Sequence, residues 1–342
     1  MRLPHARGPM SAAVVGALRD DLSADGLADL WRHAHPAADP RTDDDLHLAL
    51  WVVYELHYRG FDGVDPAREW DPELLRARLM LEERFEEALR ADAAPVVAQV
   101  LGELGDADPA TQVERVIASV DGPDVSRFVQ REATADQVLE LMAQRSLYTL
   151  KESDPTSFVL PRLDGAAKAA LAELQYDEYG GGRADRLHAT LFARGLEACG
   201  LDPTYGAYLD QAPGHVLAGN NAMSLLCLNR RLRGAALGHL AAFEATSSLP
   251  CRKLASGIRR LELPDELWEY FDEHVEADAV HEQVALRSIC GAAVDAEPAL
   301  RADVLLGAAV YLQTEATTGT RTLDAWQQGR SCLVSAGEAV PA

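Results

Sequence analysis

Cysteine is sparse in this chain of 342 residues. Its five thiols, Cys199, Cys227, Cys251, Cys290 and Cys332, are odd in number and far apart, and no two form a Cys-x-x-Cys pair. That spacing argues against a zinc ribbon or a disulfide framework. It fits reduced thiols in a cytoplasmic protein. Positive charge is also short: 32 Lys and Arg stand against 54 Asp and Glu, a net charge of −22. Such a chain repels phosphate backbones and anionic lipid surfaces, so neither nucleic acid nor a membrane is expected as a partner. Long apolar runs are missing too. The longest, around Leu48 to Tyr54, is far too short to span a bilayer. Met1 to Met10 lacks the apolar segment of a signal peptide. No internal repeat and no low-complexity tract occurs.

Ala, Leu, Glu and Arg dominate, and β-branched runs are short. This predicts helix nearly throughout, an all-α fold. Helices are expected over Asp43 to Tyr58, Asp71 to Ala91 and Pro109 to Val120. The turn Asp121-Gly122-Pro123-Asp124 marks a boundary. Residues 1–130 are thus expected to form an N-terminal helical extension, 131–325 the main domain and 326–342 a loose C-terminal tail. In the main domain Thr134-x-x-Gln137 is a capping box, whose helix is expected to run to near Asp154-Pro155. Further helices are expected over about 165–179, 184–199, 216–246, 264–292 and 298–317. Gly234-x3-Gly238 predicts close backbone packing.

Helical register brings ligand-type side chains onto inward stripes. Positions seven or eleven apart share a face. Val138, Leu141 and Tyr148 make an apolar stripe that Glu152 extends. Leu171 and Leu174 make another that Glu178 extends. A carboxylate facing a core needs a cation, a donor or a proton. Either Glu alone is more often a helix-end residue whose side chain reaches solvent. The pattern His274-x3-Asp278-x2-His281 is more specific: relative to His274, Asp278 turns by about 40° and His281 by about −20°. Imidazole with carboxylate suits iron or manganese better than zinc or magnesium. The bland alternative is a solvated acidic helix, which Glu273 and Glu276 fit.

A second Asp-x2-His lies at Asp185 to His188. Paired motifs of this kind, with bridging carboxylates from other helices, build dimetal sites in helical bundles. The motif is weak alone. Asp44-Asp45-Leu46-His47 contains another and reads as structural, while Glu55 and His57 read as core residues, His215 as a loop residue and His239 as helix packing. Glu244, on an apolar stretch, is a candidate for a group behind the ligands or in a substrate pocket. Ten residues separate Glu178 from His188, about −80° on an unbroken helix. Either the two approach from adjacent faces, or the Gly180–Gly182 run breaks the helix.

In this order, Lys151-Glu152-Ser153-Asp154-Pro155, Leu174 to Gly182 with His188, and the His274, Asp278, His281 set resemble the haem-oxygenase-like diiron oxidase and oxygenase superfamily, in its actinobacterial iron-containing redox enzyme family. The resemblance covers about 131–325. It implies a seven-helix haem-oxygenase-like bundle and six iron ligands: Glu152, Glu178, His188, His274, Asp278 and His281. Asp185 is a possible additional ligand, at a position where some relatives carry Glu. Implied cofactors are two Fe(II)/Fe(III) ions, with O2 as co-substrate. A small organic substrate and an external electron donor are the expected partners, and the N-terminal helices resemble those that some members use in a homodimer. Competing readings are a cofactor-independent enzyme of the same fold, as in the thiaminase-like and quinone-synthesis branches, and a non-catalytic metal-binding protein.

Overall fold

A computed structural model describes residues 1–19, Leu27 and residues 39–334; for 276–280 it describes the backbone alone. Among these residues every regular element is helical. Helix α1 (Pro9–Leu18) packs on α2 (Asp44–Glu55), which Asp43 caps by accepting from the Asp45 and Leu46 amides. Capping by Asp71, with Pro72 at the first position, starts α3 (Pro72–Leu104). This helix continues through Pro95 and so outruns the stretch expected from the sequence. Helices α4 (Pro109–Ile117) and α5 (Val125–Arg131) follow. The Thr134–Gln137 capping box opens α6 (Ala135–Thr149) as predicted.

Then come the single turn α7 (Asp154–Ser157), α8 (Gly165–Glu178) and α9 (His188–Ala198). One long helix was expected over about 216–246. Instead α10 (Gly214–Leu228) stops at Asn229, and after a 3-10 turn α11 (Arg233–Arg260) runs on through Pro250. Helix α12 (Asp265–Gln283) passes into a π-helical stretch, Val284–Gly291, before α13 (Ala292–Ala296) and α14 (Arg301–Gln327).

Helix α11 is the spine, packed along α12, α14 and α5. Its contact with α14 depends on two glycines: a Cβ at Gly238 would strike the Val304 carbonyl, and one at Gly307 the Ala235 carbonyl. Close approach at Gly238 is what the Gly-x3-Gly spacing predicted. Helix α2 is buried from Leu46 to Glu55 between α1, α3 and α10, so its residues belong to the same hydrophobic core as α8, α11 and α14. Where a loose tail was expected, the chain is held as far as Val334. The Cys332 amide donates to Glu140, its carbonyl accepts from Gln144, and the Val334 amide donates to the Gln211 carbonyl. No helix among the described residues is long and apolar enough to cross a membrane.

Candidate metal centre

Five of the six residues singled out as ligands meet in the interior. Glu152 reaches the cluster from a turn rather than from a helix. Helix α6 ends at Thr149, and Ser153 adopts a left-handed conformation (φ 69°), so the chain reverses around Glu152 and turns its side chain inward. Glu178 is the last residue of α8, and His188 the first of α9. Between them Gly180, Gly181 and Gly182 all take positive φ, and two 3-10 turns replace the continuous helix. This settles the spacing problem: the glycine run breaks the helix and folds His188 back onto Glu178. The His188 Nδ1 and Glu178 Oε2 are 2.9 Å apart. An ion pair from Arg186 to Glu273 ties the turn to α12 beside His274.

Helix α12 supplies His274 and His281, both buried. The His274 Nδ1–H donates to the Tyr270 carbonyl at 2.7 Å, leaving Nε2 as the free lone pair. That nitrogen is buried, has no hydrogen-bond partner among the described residues and lies 3.8 Å from Glu152 Oε2. The rings of His188 and His274 stand 4.4 Å apart. His281 Nδ1 lies 3.3 Å from Glu178 and 3.6 Å from Glu244. The side chain of Asp278 lies outside the described residues.

Two ligand groups result, each with donor atoms within 4.8 Å of one another: Glu152, Glu178, His188 and His274, and Glu178, Glu244 and His281. Glu178 belongs to both. Glu244, a candidate for a place behind the ligands or in a substrate pocket, lies within the second group and is 3% exposed. Its signal was available as a carboxylate on the inward face of α11, among Leu240, Ala241 and Ala242. The structure keeps Asp185 away from the cluster. It sits on an exposed 3-10 turn and pairs with Arg183 at 2.8 Å, because the glycine break turns this segment outward.

Two tyrosines outside the expected site also belong to its surroundings, Tyr270 by contact and Tyr148 by the charges it feels. Tyr270 donates its phenol proton to Glu152, 3.1 and 3.2 Å from the two oxygens. Burial, together with the charges of Glu152, Glu178 and Glu244, pushes the Tyr148 phenol well above its ordinary pKa. His47 is structural, as expected: its Nε2 lies 2.9 Å from the Pro40 carbonyl, and Asn221 contacts its other nitrogen. His57 likewise packs between Glu69 and Arg78.

Protonation follows from crowding. Burial, and then the charge of Glu178, pushes Glu152 up from the usual carboxylate range. Glu178 goes the other way: burial alone would raise it, but the hydrogen bond with His188 and the imidazole of His281 3.3 Å away hold it well below the usual range. Burial alone would lower both of those imidazoles, yet Glu178 lifts His188 to about 9, and Glu178 with Glu244 lifts His281 to about 11. His274, dominated by burial, falls to about 4 and is neutral. Metal ions would substitute for these protons. A neutral nitrogen with no partner among the described residues, set among buried carboxylates, fits a metal ligand, and mixed imidazole and carboxylate donors suit iron.

Comparison with known proteins agrees. Nitrosourea synthase of Streptomyces achromogenes subsp. streptozoticus is 29% identical over 147 residues, which cover 43% of this chain and 31% of that protein, so the match spans less than a third of the relative's length. The family described as iron-containing redox enzymes matches residues 139–316, just over half of the chain and every residue of the cluster. The chain belongs to the iron-containing redox enzyme family.

Proposed function

We propose that the cluster holds two iron ions and that the protein is an O2-activating oxidase or oxygenase. Its substrate would be a small organic molecule, oxidised at nitrogen or at a C–H or C–C bond. The observation that carries this reading is the sharing of Glu178 between two buried ligand groups. One ion would be held by Glu152, His188 and His274, the other by Glu244 and His281 with Asp278 as the additional carboxylate, and Glu178 would serve both. Bound iron would supply the electrons for O2 reduction and the oxidising power for the substrate.

The chain's own residues prepare the centre. Glu178 stays ionised and offers both oxygens. Tyr270 fixes Glu152 by its phenol hydrogen bond and His274 by its carbonyl, so one residue orients a ligand of each kind. Buried aromatic neighbours Phe192 and Phe271, packed 5.0 Å from the Tyr270 ring, keep water from this side. The test is anaerobic loading with Fe(II), then O2 uptake measured with a panel of amines, amino acids and fatty acids. Substrate-dependent O2 consumption with an oxygenated or cleaved product supports the proposal. Iron bound without any O2 consumption favours the non-catalytic metal-binding reading instead.

A further inference from the structure

Beside the cluster lies a second buried polar group that the metal chemistry does not use. Lys151 is 3% exposed, and its Nζ stands 3.5 Å from Glu55 Oε2 on α2, which is wholly buried. Three rings enclose the ammonium: Tyr58 at 4.4 Å, Trp51 at 5.5 Å and Tyr205 at 5.8 Å. Glu55 also accepts from the Tyr205 hydroxyl at 2.7 Å and from the Arg59 amide at 3.2 Å. A buried ion pair rarely adds stability over a well-packed apolar pair. What it does provide is a fixed geometry.

The position it fixes is informative. Lys151 directly precedes Glu152, and every residue flanking Glu152 is held. The Arg59 guanidinium donates to the Leu150 carbonyl at 2.8 Å and reaches Asp154 at 3.5 Å. From the other side, Gln175 on α8 donates to the Ser153 carbonyl at 2.8 Å, and the Tyr179 hydroxyl donates to Asp154 at 3.1 Å. Neighbouring side chains in this tight turn point opposite ways. Lys151 enters the cage of Trp51, Tyr58 and Tyr205 beside the end of α2, and Glu152 enters the metal cluster.

We propose that Lys151 and Glu55 are positioning residues: their buried pair clamps the turn that presents Glu152, which makes α2, outside the family-matched stretch, part of the metal centre. The inference rests on the metal reading above. Groups that orient a metal ligand typically change affinity by about 10- to 100-fold when lost.

Anaerobic titration with Co(II), followed by its visible absorption, tests this. Wild type should take up two ions. Glu152→Ala and Glu244→Ala assign the absorption band of each. Glu55→Gln should weaken, by about 10- to 100-fold, only the ion whose band Glu152→Ala removes. Lys151→Arg, which keeps the cation, should restore affinity relative to Lys151→Met. If a lone buried charge prevents folding, the charge-free double variant Glu55→Gln/Lys151→Met carries the same expectation. Wild-type affinity for both ions in these variants would overturn the positioning role while leaving the metal reading intact. So would equal weakening of both ions alongside a lower Tm, the mark of general loosening. A wild type that binds no Co(II) would overturn both.

Discussion

At Glu178 the two ligand groups meet, and its substitution separates a shared centre from two independent halves. Glu178→Ala is expected to release both ions, taking iron from about two per chain to near zero. Glu244→Ala or His281→Ala is expected to cost the second ion while the first remains, as counted by mass spectrometry of anaerobically loaded, desalted protein. One iron retained in Glu178→Ala would contradict the bridging role. Tyr270→Phe removes only a hydroxyl from a ring that otherwise stays packed. It should cost about 1 kcal/mol of stability and weaken iron about tenfold in a chelator competition, because Glu152 loses its donor. Unchanged competition would show that Glu152 needs no such support.

Among the elements, the segment between α8 and α9 decides whether His188 reaches its partners. Gly180 has φ 67°, and a Cβ there would lie 2.5 Å from the Arg186 carbonyl carbon. Gly182, with φ 80°, has its nearest neighbour 3.6 Å away on the exposed Tyr176 ring. Gly180→Ala is therefore expected to lower stability by more than the roughly 1–2 kcal/mol of left-handed strain, and to lose iron with it. Gly182→Ala should show the strain alone, with iron retained. Thermal melts and iron counts on the pair check this.

The same segment marks how far the sequence could be read. Periodicity identifies helices α6, α8 and α12 and points Glu178, His274 and His281 inward, since those positions lie on regular helix, but it merges α10 with the first half of α11. Glu152 was placed inward for a partly wrong reason: the helix stops three residues earlier, and a left-handed Ser153 does the turning. Tertiary contacts from Arg59 and Gln175 hold that turn, and no local pattern encodes them. Glu244 was undervalued because its helix carries no accompanying His motif; only the approach of α12 brings His281 to it. Asp185 fitted a motif by spacing, but the glycine break puts it on the surface.

For the whole molecule, the crowding of acids and imidazoles links metal, protons and stability. His188 and His281 are raised in the metal-free fold above the ordinary value near 6.5. A group raised in this way stabilises the fold below its unfolded pKa and loses that contribution as pH climbs to the folded one. The metal-free protein should therefore lose stability from about pH 6.5, through about 9 for His188 and on to about 11 for His281. Glu178, held low, adds a loss on the acid side as pH falls below about 4.3. Iron bound as proposed would have to displace the imidazole protons, so its affinity should rise over the same window in which the metal-free fold weakens. Anaerobic melts with chelator and with Fe(II) should diverge as pH increases. Parallel curves would mean that the histidines are not ligands.

Mössbauer spectroscopy of the 57Fe-loaded protein after exposure to O2 distinguishes a pair of irons sharing Glu178 from isolated ions. Two ferric ions bridged in one centre couple antiferromagnetically, so quadrupole doublets without magnetic splitting are expected at liquid-helium temperature in a weak field. A magnetically split spectrum of isolated high-spin ferric ions, with the matching paramagnetic resonance signal, would contradict the shared centre.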